Sequence, residues 1–120
     1  MKKVIVISGV TSGVGKEIAS KFVGLDWNVI GLARNESKLQ ELSQNLGENF
    51  IFLATDIRNE ENVTSAFKYI KTNFNKIDII VNNAAIFKMD EFINCSFNDI
   101  NLMIDTNLKG AMYSTLKAIE

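Results

Sequence analysis

Short apolar runs recur along this chain, separated by stretches whose apolar residues return every three or four positions. Val4-Ile5-Val6-Ile7 is the first run, β-branched throughout and without polar alternation, as expected of a strand buried on both faces of a parallel sheet. Val14, Ile18 and Phe22 then recur every four residues, with Ala19 and Val23 beside them, and predict an amphipathic helix. Gly24 to Asp26 make a turn, and Asn28 to Leu32 read as a second strand that ends at Ala33-Arg34-Asn35. Leu39, Leu42 and Leu46 mark a second helix, with Gly47 placed as its C-cap. Phe50 to Ala54 form a third strand, running into Thr55-Asp56-Ile57.

The pattern repeats once more. Asn59 can cap a helix whose acidic start, Glu60-Glu61, suits its positive end, and Val63, Phe67, Ile70 and Phe74 form its stripe. Asp78 to Val81 give a fourth strand, followed by Asn82-Asn83-Ala84-Ala85. Ser96 with Asp99 is a capping-box pattern for a short helix. A last helix is expected from about Asp105 to the terminus, with Leu108, Ala111, Met112, Leu116 and Ile119 turned inward. Alternating strands and helices imply right-handed crossovers and a doubly wound, Rossmann-like α/β fold with a parallel sheet. The expected strand order is 3-2-1-4, in one domain over residues 1–120. Gly9, Arg34, Asp56 and Asn82 all fall at the carboxyl ends of strands, where such folds bind ligands.

The turn after the first strand carries the chemistry. In Ser8-Gly9-Val10-Thr11-Ser12-Gly13-Val14-Gly15, glycines let the backbone approach a pyrophosphate while free amides and the helix dipole face it. A magnesium-binding G-x-x-x-x-G-K-[ST] loop fails here, because Val10 stands where its first glycine should and Glu17 replaces the hydroxyl. The G-x-G-x-x-G fingerprint fails as well, since the order is G-x-x-x-G-x-G.

Composition narrows the partners. Among 120 residues, 47% are hydrophobic and 22% charged, in the range of soluble globular domains, and the net charge of −1 gives no reason to expect nucleic acid or an anionic membrane as partner. With no histidine and one cysteine, Cys95, neither a Ser-His-Asp triad nor a histidine or thiolate metal site is available, and a reduced, cytoplasmic setting is expected. The basic start before the first apolar run does not make a signal peptide, because the run breaks within a few residues at the glycine turn. No stretch approaches the length of a transmembrane helix.

The G-x-x-x-G-x-G spacing resembles the turn of the short-chain dehydrogenase/reductase family, T-G-x-x-x-G-x-G, with Ser8 keeping the hydroxyl of the threonine. The resemblance extends over the whole chain and implies a dinucleotide cofactor held by Ser8, Gly9, Thr11, Ser12, Gly13, Val14 and Gly15. Ala33 stands where an NAD-binding fold places an acid, and Arg34 follows it, which implies a 2′-phosphate and hence NADP over NAD. The alternative for Arg34 is a solvated arginine at a helix start. Asp56 and Ile57 match the family's adenine-binding pair, with a helix cap as the alternative for Asp56. Asn82, Asn83 and Ala84 resemble the N-N-A-G signature at the adenosine ribose, with Ala85 in place of its glycine.

Asn107 matches the family's catalytic asparagine, which works with a serine, a tyrosine and a lysine; its alternative is a polar residue that kinks a helix. Tyr113 and Lys117 have the Tyr-x-x-x-Lys spacing but begin six residues after Asn107 on the same helix, and are set aside as coincidence. The implied reaction is hydride transfer between nicotinamide and a carbonyl or alcohol substrate. This chain would carry the cofactor half, be inactive alone and belong to a homo-oligomer at full length. The alternatives are a non-catalytic dinucleotide-binding module and an interaction subunit.

Overall fold

The computed structural model describes Met1 to Glu120. Four strands, β1 (Val4–Ser8), β2 (Asn28–Ala33), β3 (Phe50–Ala54) and β4 (Ile79–Val81), form one parallel sheet in the order β3-β2-β1-β4. The register pairs Val6 with Ile30 and with Ile80, and Ile30 with Ile51, so every strand ends on the same edge. Between them lie α1 (Gly13–Gly24), α2 (Glu36–Leu46) and α3 (Glu60–Phe74). After β4 come a 3₁₀ turn at Phe92–Asn94, α4 (Phe97–Ile104), a π-helical turn at Asp105–Gly110 and α5 (Ala111–Ile119).

Alternate residues of the central strand serve opposite faces of the sheet, which is why β1 is apolar throughout. Ile5 and Ile7 pack with Ala19, Leu39 and Leu42 on the side of α1 and α2. Val4 and Val6 pack with Val63, Phe67 and Ile70 of α3 on the other, where Tyr113 and Ala118 of α5 join them. Helix ends follow local chemistry. Asn35 and Asn59 each accept an amide hydrogen bond at the start of α2 and α3, Ser96 and Asp99 form a full capping box, and Gly47 ends α2 at φ +84°.

The expected apolar face of α1 is corrected at Val14, and that of the last helix along most of its length. On α1 the buried residues are Gly15 and Ala19, and Val14 is 67% exposed at the open end of the helix. On the last helix, Leu108, Met112, Leu116 and Ile119 are exposed, while Thr106, Gly110 and Ser114 are buried. Both helices approach their neighbours through small residues: a Cβ on Gly110 would lie 2.7 Å from Ile57 Cδ1. Close approach selects for size there; on α1 Ile18, Phe22 and Val23 still pack against the core, whereas on the last helix the bulky residues are left on the far side.

Candidate functional site

The carboxyl ends of β1 and β4 are tied together by a single hydroxyl. Ser8 is 4% exposed; its Oγ accepts from the amides of Asn83 and Ala84, both at 3.1 Å, and donates to the Val81 carbonyl at 3.4 Å. Asn83 Nδ2 donates to the Gly9 carbonyl at 3.0 Å, and the Gly9 amide donates to Leu32 at 2.9 Å. The glycine turn, β2 and the loop after β4 are thereby held in fixed relation. Ser8 and Asn83 point into this network, and neither lines the cleft beside it.

The glycines have different duties. Gly9 sits at φ +65°, and a Cβ there would come within 2.7 Å of Ala84 Cα. Gly15 has no room either, because its Cβ would press on the Gly9 carbonyl and lie 2.5 Å from Asn83 Nδ2. Gly13 is required by conformation alone: its φ is +56°, and the space around it is open. Ala85, which replaces a glycine of the family signature, adopts no positive φ, so the substitution costs no backbone strain.

Helix α1 differs from the three that follow it. Ser12 occupies its N-cap position without making a side-chain cap, and its first turn holds no acid, whereas α2, α3 and α4 have both a cap and an acid. Its first-turn amides and positive dipole end therefore face outward without a protein anion. Gly9, Thr11 and Ser12 form one wall of a cleft of about 530 Å³. Arg34 and Lys38 form a second wall, and Asp56, Ile57 and Arg58 a third, with Ala84, Ile86 and Thr106 closing the side toward α4.

Charge is concentrated around one carboxylate. Arg58 Nε lies 2.9 Å and Nη2 2.7 Å from the two oxygens of Asp56, and the Arg58 amide donates to Asp56 Oδ1 at 3.0 Å. These bonds, led by the guanidinium and helped by the charge of Arg34, hold the Asp56 carboxyl below its ordinary range, while the same pair raises Arg58. The cap of α3 is Asn59, which rules out the capping alternative for Asp56. Ile57 is buried, with its side chain against Gly110 and its backbone at the cleft.

Asn107 lies within the π-helical turn and grips the backbone of Ile86 at two points. Its Oδ1 accepts from the Ile86 amide at 2.8 Å and its Nδ2 donates to the Ile86 carbonyl at 2.7 Å. It thus shapes the cleft wall without lining it. Asn82 turns away from the cleft, its Nδ2 donating to Thr115 Oγ1 on α5 at 2.9 Å. Tyr113 packs against the α3 side of the core, and Lys117 pairs with Glu120.

Lys38, Arg58 and Thr106 line the cleft and were not among the residues expected from sequence. Lys38 stands one helical turn past Arg34, and Arg58 two residues past Asp56; both spacings are visible in sequence once the strand ends are known. No group of three or more His, Cys, Asp or Glu side chains is placed to hold a metal ion. No helix is long and apolar enough to cross a membrane.

Comparison with known proteins agrees with this architecture. The chain is 34% identical over 113 residues to the NADP-dependent 3-hydroxy acid dehydrogenase YdfG of Shigella flexneri, covering 93% of this chain and 46% of that protein. It is 37% identical over 116 residues to serine 3-dehydrogenase of Rhizobium radiobacter, covering 96% of this chain and 47% of that one. The closed form of serine dehydrogenase complexed with NADP⁺ superposes with a TM-score of 0.90 at 32% identity, over 97% of this chain and 47% of that one. The chain thus spans about half the length of the relatives it matches. Residues 3–120 match the family described as short chain dehydrogenase, and the chain belongs to that family.

Proposed function

We propose that this chain binds NADP across the carboxyl ends of β1, β2 and β3, as the cofactor half of a cytoplasmic oxidoreductase. The observation that carries this reading is the convergence, on one cleft, of an uncapped helix start, a glycine turn with no room for a side chain at Gly9 or Gly15, and three cations. The fit to a dinucleotide is chemical: backbone amides suit a pyrophosphate, and guanidinium and ammonium groups suit a terminal phosphate. Gly9, Thr11, Ser12, Gly13, Val14 and Gly15 face the pyrophosphate, and Arg34 with Lys38 holds the 2′-phosphate. Asp56 and the backbone at Ile57 receive the adenine. Ser8, Asn82, Asn83 and Ala84 fix the platform beneath the adenosine ribose. The bound cofactor supplies hydride exchange with a small carbonyl or alcohol.

Asn107 is the one member of the family's tetrad in this chain, and it holds the wall beside the expected nicotinamide end. Without the serine, tyrosine and lysine no group here protonates a developing alkoxide, so the chain alone catalyses no hydride transfer. Absorbance of reduced nicotinamide over a panel of ketones and alcohols checks this, and turnover by the isolated chain would overturn it. The exposed Met112, Leu116 and Ile119 support the further reading that the protein works as a homo-oligomer.

Calorimetry with NADP and NAD tests the cofactor assignment. NADP should bind more tightly. Arg34→Ala should weaken NADP by about 1.5–3 kcal/mol, the scale of a charge-assisted contact, and leave NAD nearly unchanged. Equal losses for both dinucleotides would remove Arg34 from 2′-phosphate recognition.

A further inference from the structure

Beyond the expected role of Arg34, we infer that Arg58 determines specificity for a 2′-phosphorylated adenosine by neutralising Asp56 beside the cations that bind the phosphate. The inference rests on the dinucleotide reading and deepens it. Four charged side chains line the cleft: Arg34, Lys38, Arg58 and Asp56. Asp56 is the only anion among them and lies close enough to Arg34 to feel its charge. Left bare, this carboxylate would draw Arg34 toward itself and repel a phosphate carrying close to two negative charges.

Arg58 prevents both effects. Its guanidinium spans the two oxygens of Asp56 at 2.9 and 2.7 Å, and its own amide adds a third bond at 3.0 Å. The pair is about three-quarters buried, with side-chain exposures of 26% for Arg58 and 30% for Asp56, so solvent screens it less than an open surface pair. Asp105 also acts on Arg58 through its charge, but it is within salt-bridge reach of Lys109 at 3.4 Å. The geometry leaves Arg34 and Lys38 without an acidic partner in salt-bridge contact, free for an anionic ligand. Asp56 can still offer one lone pair to an adenine amino group, because three bonds from Arg58 leave one of about four acceptor sites open.

The test uses the adenosine-side ligands 2′,5′-ADP and 5′-AMP, which require none of the residues absent from this chain. Titration calorimetry is performed on the wild type, Arg58→Gln and Arg58→Lys, with thermal melts to verify that each is folded. Arg58→Gln should lose about five- to tenfold in affinity for 2′,5′-ADP and less than twofold for 5′-AMP, the scale of one unit charge near a partly screened phosphate. Arg58→Lys, which keeps the charge without the fork, should retain 2′,5′-ADP within about threefold. Equal loss of both ligands would reduce Arg58 to a structural brace and overturn the inference. So would unchanged binding of both. If the wild type binds neither ligand, the dinucleotide reading itself fails and takes the inference with it.

Discussion

The chain divides near Asn75 into two regions that bury their apolar residues very differently. Every hydrophobic residue of the core lies between Val4 and Ile70, shared by β1 to β3 and the helices over them. From β4 onward only Thr106, Gly110 and Ser114 are buried, while Phe87, Met89, Phe92, Ile93, Phe97, Met112 and Ile119 are exposed. β4 forms one edge of the sheet, with Ile79 open. The first region is packed by the hydrophobic effect within itself. The second is attached to it by the pairing of β4 with β1, by Tyr113 and Ala118 against the α3 side of the core, and by polar ties from Asn83 to Gly9 and from Ser8 to the loop amides. The Asn82–Thr115 and Asn107–Ile86 bonds hold the second region to itself. The cleft lies where the two meet, which places its rigid walls on one side and its hydrogen-bonded wall on the other.

Substitutions can sharpen this contrast. Phe67→Ala, in the closed core, should cost about 3–5 kcal/mol by creating a cavity, measured by denaturant unfolding. A cost under about 1 kcal/mol would mean that the first region is not packed as described. Gly15→Val should cost about 1–3 kcal/mol through overpacking against Gly9 and Asn83, disturbing the joint between the regions even without ligand. Gly13→Val should be milder in stability, about 1–2 kcal/mol of backbone strain, because no atom obstructs its side chain. If Gly13→Val proved the more destabilising, the assignment of packing to one glycine and conformation to the other would be reversed. Leu116→Ala, on the bare side of α5, should change stability by less than about 0.5 kcal/mol. A loss comparable to Phe67→Ala would show that the second region has a core of its own.

The same division governs what could be read from sequence. The strands, their order, the caps Asn35, Asn59 and Ser96, and the stripe of α3 were legible because large apolar residues or strong capping residues mark them. On α1, Ile18, Ala19, Phe22 and Val23 were legible too and pack at the core, with Val14 alone left open. The buried face of the last helix was not legible. It is made of Thr106, Gly110 and Ser114, spaced by four, and small residues carry almost no hydrophobic signal. The π-helical turn at Asp105–Gly110 adds a further displacement, since one extra residue in a turn rotates everything after it relative to a 3.6-residue count. At the cleft, the glycine turn and Asp56 were visible as motifs, whereas Lys38 and Arg58 read in sequence as ordinary surface charges. Their place at the cleft depends on which strand ends lie side by side, and that is a property of the sheet order.

The most direct test of the central claim is an amide NMR titration of the ¹⁵N-labelled chain with NADP. The account predicts shifts concentrated at Gly9, Thr11 to Gly15, Arg34, Lys38 and Asp56 to Arg58, with the amides of the far edge at Lys3, Asn28 and Asp78 unmoved. Shifts scattered over the exposed side of α5, or none at millimolar NADP, would contradict it.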